Sequence, residues 1–211
     1  MKGNSLNEND KVSLVEFISH LHTIVPSDKE FPRNDELKRL NHLHIFEYPY
    51  QANNGFNLDA IQSGLQQLSL KYKQSESLKR SVKKLGDIYM AGGKMLVHGD
   101  YYPGSWLQTT SGVRIIDPEF SHSGYPEFDI GVMTAHLLMS HASEHQIRGM
   151  IKAYRMPEGF SSKLSSQFCG TEIIRRIIGL AQLPLDMTLE EKAALLERAE
   201  QFIAPFGEVM F

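Results

Sequence analysis

Apolar residues recur about every three to four positions along most of this chain, which is the spacing of one face of an α-helix. Between residues 11 and 25, for example, Val15, Ile18 and Leu21 share such a face. The same periodicity predicts helices over residues 11–25, 35–42, 58–72, 75–90, 129–141, 143–154, 161–182 and 188–204. The segment 43–50 is aromatic rather than periodic, and we expect it to be extended.

Polar residues with capping chemistry stand at the predicted helix starts. Asn34 and Ser143 can accept hydrogen bonds from the first free backbone N–H groups of the helices that follow them. Thr188 with Glu191 three residues later has the pattern of a capping box. These signals predict a chain of short helices joined by short loops, without repeats or low-complexity tracts.

The stretch from residue 95 to 131 interrupts the helices with three short β-type runs. The runs are 96–97, 106–107 and 113–116, and a polar turn over 109–112 joins the last two. The sequence therefore predicts one small hairpin, which would bring Asp100 and Asp117 to the same edge.

Acidic residues near that edge predict a cation site. On an extended chain the side chains alternate, so Asp117 and Glu119 would face the same way. Clustered carboxylates repel one another unless a cation lies among them, and oxygen ligands of this kind suit Mg²⁺. We therefore expect Asp100, Asp117 and Glu119 to gather around magnesium.

The composition narrows the class of protein. Of the 211 residues, 41% are apolar, which is enough for one domain with a core, and the formal net charge of −3 argues against nucleic-acid binding. A single cysteine, Cys169, excludes an intramolecular disulfide and fits a reducing compartment. No apolar run approaches the roughly 20 residues of a membrane span. We expect a disordered tail at residues 1–10, one domain over 11–211, and a cytoplasmic protein without membrane or nucleic-acid partners.

The motif around Asp100 resembles a known family of enzymes. The His-Gly-Asp that ends at Asp100 and the later Asp-Pro-Glu that begins at Asp117 are similar to the catalytic and metal motifs of the aminoglycoside phosphotransferase and choline kinase family. The resemblance implies that Asp100 is the catalytic base, and that Asp117 and Glu119 bind Mg²⁺ and, through it, ATP. Ser105 belongs to the cofactor site in this comparison. Serine there, with Asp-x-Glu in the second motif, is similar to the 5-methylthioribose kinase branch.

A second segment supports the same branch. Residues 172–181 read Glu-Ile-Ile-Arg-Arg-Ile-Ile-Gly-Leu-Ala and resemble the twin-arginine segment that these kinases place beside the sugar substrate. The resemblance implies that Arg175 and Arg176 bind the substrate, where fixed cations would meet developing phosphoryl charge. The alternative is a surface ion pair with Glu172, one turn earlier on the same helix. Tyr102 departs from the pattern, because these kinases usually have histidine at that position.

The resemblance covers residues 30–205 and implies a mainly α (α+β) fold. The expected architecture is the helical C-terminal lobe of a protein-kinase-like fold, with a small β-hairpin that carries the catalytic and metal motifs. Before Asp100 the sequence contains no glycine-rich phosphate loop and no strand with a central lysine. We therefore expect these 211 residues to lack the N-terminal nucleotide-clamping lobe. The apolar face left exposed should then bind that lobe or a second copy of the chain.

Several side chains admit two interpretations. Ser105 either binds the cofactor or caps a turn, and Asp129 either ties the catalytic loop through backbone N–H groups, as in the family, or caps the helix that follows it. His98 is expected to be a buried hydrogen-bonding strut, and Cys169 a small core residue. Core or rim positions, rather than a sugar pocket, are expected for the aromatic residues Tyr101, Tyr102 and Trp106.

These features admit three functions from different classes. The first is ATP-dependent phosphorylation of a hydroxyl group on a small sugar-like molecule, with 5-methylthioribose as the nearest candidate and with ATP and Mg²⁺ as cofactors. The second is a truncated, non-catalytic kinase-like binding module. The third is a metal-dependent hydrolase, for which no second histidine stands at ligand spacing. The intact acidic motifs favour the kinase, and we expect the isolated chain to be weakly active or inactive.

Overall fold

The structure of the chain, a computed structural model, describes residues 7–27 and 34–211. Within these ranges the chain is mainly α-helical with a small β component, as predicted. The helices are α1 (Glu8–Leu21), α2 (Asp35–His42), α3 (Leu65–Lys73), α4 (Glu76–Ala91), α5 (Pro126–Met139), α6 (Glu144–Ala153), α7 (Ser162–Ile178) and α8 (Leu189–Ile203). The strands are β1 (Met95–Val97), β2 (Trp106–Thr109), β3 (Gly112–Ile115) and β4 (His122–Gly124).

The helix caps predicted from the sequence are present at two of three sites. Ser143 begins α6 and Thr188 begins α8, each within a complete capping box. Asn34 directly precedes α2 but does not cap it, because its backbone is left-handed with a φ of 55°. Its side-chain amide instead donates hydrogen bonds to the carbonyl oxygens of Glu119 and Ser121. Asn34 thus connects α2 to the segment that follows β3.

The segment 43–50 is helical, so the prediction of an extended conformation is wrong. The end of α2 continues into a π-helical turn over Leu43–Glu47 and then a 3-10 turn over Tyr48–Tyr50. Ile45, Phe46 and Tyr50 are buried, and these turns pack on α7. Packing into a helical core therefore outweighs the preference of aromatic residues for strands.

Other boundaries also differ from the predicted ones: α1 ends at Leu21 rather than at residue 25, and α5 spans Pro126–Met139 rather than 129–141. Residues 8–10, expected in a disordered tail, form the first turn of α1, while residues 1–6 of that tail lie outside the described residues. The helix predicted over 58–72 is divided: Leu58–Ala60 forms a 3-10 turn, and α3 begins only after Gly64, whose φ is 87°. Helix α7 ends at Ile178, before its predicted end at residue 182.

The centre of the core is the pair α5 and α7. The two helices pack closely on each other, and α8 packs on α7. Gly131 and Gly170 permit this approach, since a Cβ atom would lie 2.7 Å from the Ser165 carbonyl oxygen at the first and 2.6 Å from that of Ala199 at the second. Cys169 is buried in α7, as expected. The core therefore fixes the two helices whose polar side chains enter the site described below.

The single predicted hairpin proves to be part of two separate strand pairs. Strands β2 and β3 form the hairpin, in which Trp106 pairs with Ile115. Strand β1 pairs instead with β4, so that Val97 lies opposite His122. Sequence analysis missed β4, which has only three residues and no alternating pattern. The β1–β4 pair brings the loop after β1 close to the segment that precedes β4.

Several large apolar side chains are exposed in the described part of the chain. Some lie on or just after α1 and on β2, namely Val12, Phe17, Ile24, Val25 and Leu107, and others, such as Ile61, Leu180 and Phe206, lie elsewhere. Asp10 of α1 accepts a hydrogen bond from Gln108 of β2 at 3.1 Å, so the helix and the hairpin adjoin. Exposed apolar groups of this kind favour association, and the expected second lobe or second copy stays a prediction. Within the described ranges, no helix combines the length and apolar character that a membrane span requires.

Candidate active site

Asp129 fixes the backbone that leads to Asp100. It lies in the first turn of α5 and is fully buried. One carboxylate oxygen accepts the His98 backbone N–H at 2.7 Å, and the other accepts that of Gly99 at 2.9 Å. The structure supports the interpretation that Asp129 ties the loop, because α5 begins at Pro126 and Asp129 does not cap it.

A second buried layer supports Asp129. His22 follows α1, with Nε2 3.1 Å from Asp129 Oδ2 and Nδ1 2.6 Å from the hydroxyl of Tyr154. Burial alone would raise the pKa of Asp129, but the hydrogen bond and charge of His22, together with His98, hold that pKa below its ordinary value. Asp129 is therefore ionised at neutral pH. Sequence analysis missed His22 and Tyr154, because neither stands in a recognisable motif.

His98 and Ser105 brace the loop from within. His98 is buried, with Nε2 3.0 Å from the Ile116 carbonyl oxygen, while Nδ1 faces the backbone N–H of Asp100. These contacts agree with the expectation that His98 is a buried hydrogen-bonding residue that supports the loop. Ser105 is also buried, and its hydroxyl donates to the carbonyl oxygen of Asp100 at 2.8 Å. These contacts favour the turn-capping interpretation of Ser105.

Gly99 allows two chain segments to touch. Its φ is 82°, and a Cβ atom there would lie 2.2 Å from the Phe120 carbonyl oxygen, so glycine is required on both counts. Ser121 donates from its hydroxyl to the His98 carbonyl oxygen at 3.2 Å, between the same two segments. The loop 98–105 therefore lies against the segment 116–121, which carries the second acidic motif.

The arrangement of Asp117 and Glu119 differs from the predicted one. Asp117 has a left-handed backbone, with φ 58° and ψ 56°, and Pro118–Phe120 forms a 3-10 turn. The chain is not extended here, so the alternation used to align the two carboxylates does not apply. Both residues are exposed. Among the described residues no group of three or more His, Cys, Asp or Glu side chains is arranged to hold a metal, so the expected preformed cluster with Asp100 is not found there.

Asp100 pairs with an arginine instead of with other acids. Its Oδ1 lies 3.3 Å from Nη2 of Arg176, and the side chains are 19% and 7% exposed, respectively. The Arg176 guanidinium also lies 5.1 Å from the ring centre of Tyr102. The predicted base and one of the predicted substrate-binding arginines are therefore direct neighbours.

The pKa of Asp100 is raised from 3.8 to about 6. Burial is the largest cause, because it disfavours the charged carboxylate, and the negative charge of Glu172 adds to the effect. The charges of Arg176, Arg175 and His98 oppose the rise. Asp100 is therefore mostly ionised at pH 7 but becomes protonated on modest acidification.

Arg175 and Arg176 are buried and share the carboxylate of Glu172. The distance from Arg175 Nη1 to Oε2 is 3.1 Å, and that from Arg176 Nε to Oε1 is 2.6 Å. The alternative ion pair with Glu172 is thus present, although it lies in the interior rather than at the surface. It does not exclude the substrate interpretation, because Arg176 reaches Asp100 at the same time.

A pocket of about 240 Å³ opens beside Tyr102. The Tyr102 ring packs on that of His136, with 4.5 Å between the ring centres, and lies next to Arg176. Tyr101 and Trp106 are buried in the core, as expected, whereas Tyr102 borders this pocket. Most of the pocket wall is apolar, and it includes Pro103, Met139, Leu183, Pro184 and Leu185.

The fold and the site together define a kinase-like domain, in which a His-Gly-Asp loop is tethered to a helical core beside a buried pair of arginines. The profile of the phosphotransferase enzyme family matches residues 6–162, which is well over half of the chain. The chain therefore belongs to the phosphotransferase enzyme family.

Among curated proteins the chain is similar to methylthioribose kinases. That of Exiguobacterium sibiricum is 28% identical over an alignment of 172 residues, and the match covers 66% of this chain and 44% of the relative. That of Bacillus velezensis is 25% identical over 208 residues, with 81% and 52% covered, and that of Yersinia pseudotuberculosis is 24% identical over 190 residues, with 71% and 46% covered. The chain thus spans about half the length of the curated relatives it matches.

Proposed function

We propose that this chain is part of a kinase that transfers the γ-phosphoryl group of ATP to a hydroxyl group of a small sugar-like acceptor, with 5-methylthioribose as the best candidate. The observation that carries the proposal is the tethered loop that holds Asp100 beside Arg176, in a chain that matches the phosphotransferase family. The names of the methylthioribose kinase relatives support the choice of acceptor.

The chemistry of phosphoryl transfer fits these two side chains. The reaction depends on positioning and on stabilisation of charge far more than on covalent catalysis. Asp100 would orient the acceptor hydroxyl and accept its proton, and a pKa of about 6 leaves it ionised yet basic at neutral pH. Arg176 would stabilise negative charge on the transferred group.

Asp117 and Glu119 are suited to magnesium even though the described residues form no three-carboxylate cluster around them. Mg²⁺ keeps several waters and is usually bound by one or two carboxylates together with substrate phosphates. Two exposed acids on the segment beside the catalytic loop meet that requirement. When bound, the ion would neutralise charge on the ATP phosphates.

The pocket beside Tyr102 would hold the apolar part of the acceptor. It adjoins the catalytic loop through Tyr102, and its wall is mostly apolar. A methylthio substituent would gain from burial there at about 25 cal/mol per Å² of apolar surface, whereas the hydroxyl group of unsubstituted ribose would not. We therefore propose that this pocket favours 5-methylthioribose over ribose.

The test is ADP release and acceptor binding by the 211-residue chain. We expect 5-methylthioribose to bind more tightly than ribose in calorimetry, and ADP release to be slow because the sequence before Asp100 supplies no glycine-rich loop or paired lysine. Acceptor binding without any acceptor-dependent ADP release would favour the alternative, a non-catalytic binding module. If neither binding nor ADP release is detected, the proposed function is contradicted.

The pH dependence of transfer offers a second test. Protonated Asp100 cannot accept a proton, so kcat/KM is expected to fall about tenfold per pH unit below about pH 6. Because the charge of Arg176 lowers the pKa of Asp100, Arg176→Gln should move this acid limb to higher pH. Arg114→Gln, at an exposed position of β3, is the matched control and should leave the limb in place. An acid limb that does not move in Arg176→Gln would contradict the assignment of Asp100 as base.

A further inference from the structure

Glu172 is a buried carboxylate that the proposed mechanism does not use. It is 1% exposed and lies in α7, where Arg175 and Arg176 follow it by three and four residues. A third donor comes from α5, since His136 Nε2 lies 2.9 Å from Glu172 Oε1. Burial would raise the pKa of Glu172, but the two arginines and His136 hold it well below its ordinary value. The carboxylate is therefore ionised and fully occupied.

The contacts of Arg176 divide its guanidinium between two acids. Nε donates to Glu172 at 2.6 Å, Nη2 reaches only Oδ1 of Asp100 at 3.3 Å, and Nη1 donates to the carbonyl oxygen of Ala181 at 3.3 Å. An arginine that meets one carboxylate commonly binds both of its oxygens in parallel. Here Glu172 holds the Nε edge of Arg176. Asp100 therefore cannot form this two-bond contact with the guanidinium. No donor within the described part of the chain reaches Oδ2 of Asp100.

Arg175 is held away from Asp100 in the same manner. Its Nη1 donates to Glu172 at 3.1 Å and its Nη2 to the side-chain oxygen of Asn41 at 3.3 Å. The charges within the group are balanced, because Glu172 and Asp100 face two guanidinium groups. Burial lowers the pKa of His136, although Glu172 opposes this effect, so the imidazole is neutral and adds no charge.

We infer that Glu172 is a positioning residue, which keeps Arg176 from closing on both oxygens of Asp100 and so leaves Oδ2 free for the acceptor hydroxyl. This inference rests on the proposed function and deepens it. Without Glu172, Arg176 would turn its Nε edge toward Asp100 and lock the base in a two-bond ion pair. Glu172 acts through Arg176, so it is not itself a catalytic residue.

The decisive experiment compares crystal structures and kinetics of the wild-type chain and Glu172→Gln. In the variant we expect two nitrogen atoms of Arg176 to bond to Asp100, and kcat for 5-methylthioribose to fall about 100-fold with little change in KM. Glu127→Gln is the matched control, because Glu127 is a buried acid of α5 that accepts a hydrogen bond from the Ser161 N–H and touches neither arginine. That control should retain wild-type kcat.

A double-variant cycle separates positioning from general structural damage. If Glu172 acts through Arg176, adding Glu172→Gln to Arg176→Gln should cause no further loss of kcat, whereas unrelated damage would multiply the losses. The double variant, which removes Glu172 and Arg176 together, also keeps the charge balance. If Glu172→Gln does not fold, Glu172→Asp, whose side chain is one carbon shorter, takes its place in the comparison. A structure in which Arg176 keeps its single bond to Asp100 overturns the inference whatever the kinetics. Absence of transfer by the wild-type chain would count against the proposed function instead, since the structures still decide how Glu172 orients Arg176.

Discussion

Asp100→Asn should reduce phosphoryl transfer by about 100- to 10,000-fold, the range of general acid–base catalysis. Asparagine has nearly the same shape and can still accept the hydrogen bond from Arg176, but it cannot accept a proton from the acceptor hydroxyl. The measurement is kcat in a coupled ADP-release assay, with folding checked by circular dichroism. Asp87→Asn is the matched control, because Asp87 is exposed and forms a surface ion pair with Lys83.

The same substitution should not destabilise the domain at neutral pH. The pKa of Asp100 rises on folding from 3.8 to about 6, so its contribution to stability is fully present below pH 3.8 and is lost as the pH rises through about 6. Above pH 6 the buried charge opposes folding, and removing it should leave the melting temperature unchanged or higher. An Asp100→Asn protein that keeps more than a tenth of wild-type transfer would show that Asp100 is not the base.

Asp129→Ala should destabilise the domain by about 3–5 kcal/mol, the cost of removing one partner from a buried ionic network. The substitution leaves the N–H groups of His98 and Gly99 without an acceptor and His22 without its carboxylate. At about 2–4 °C per kcal/mol for a protein of this size, the melting temperature should fall by roughly 6–20 °C. Thermal unfolding followed by circular dichroism measures the change.

The pH dependence of this loss identifies its cause. The pKa of Asp129 is lowered on folding, so its contribution is present above the unfolded value of 3.8 and is lost as the pH falls through the folded value. The difference between wild type and Asp129→Ala should therefore be constant near neutrality and shrink only in strong acid. Asp129→Asn keeps one acceptor oxygen but carries no charge, so it should lose less stability than Asp129→Ala. A loss that stays the same in strong acid would argue against the ionic explanation.

Local signals in the sequence predicted most helices of the fold. A capping box such as that of Thr188 acts within one turn, so its outcome does not depend on distant residues. The prediction for segment 43–50 failed because its conformation depends on distant residues. Phe46 and Tyr50 take their conformation from the helices on which they pack. Strand β4 was missed because it is short and pairs with β1, which is not its neighbour along the chain.

The candidate site was predictable in its motifs but not in its contacts. The resemblance pointed to both Asp100 and Arg176, yet their ion pair joins residues 76 positions apart and replaces the expected acidic cluster. His22, His136 and Tyr154 left no signal, since a buried hydrogen-bonding residue looks like any other polar residue in a sequence. Glu172 was considered only as a surface partner for the arginines, because helical spacing does not reveal burial.

The left-handed backbone of Asp117 limits how far the stability of this chain can be raised without losing the carboxylate at that position. A residue with a Cβ atom loses up to roughly 1–2 kcal/mol in that conformation, and although aspartate tolerates it better than most residues, only glycine avoids the loss. A sequence selected for thermal stability alone would therefore favour glycine at position 117 and would lose the carboxylate that lies on the segment beside loop 98–105. In the proposed function, in which Asp117 holds magnesium, folding and phosphoryl transfer make opposing demands on this one side chain.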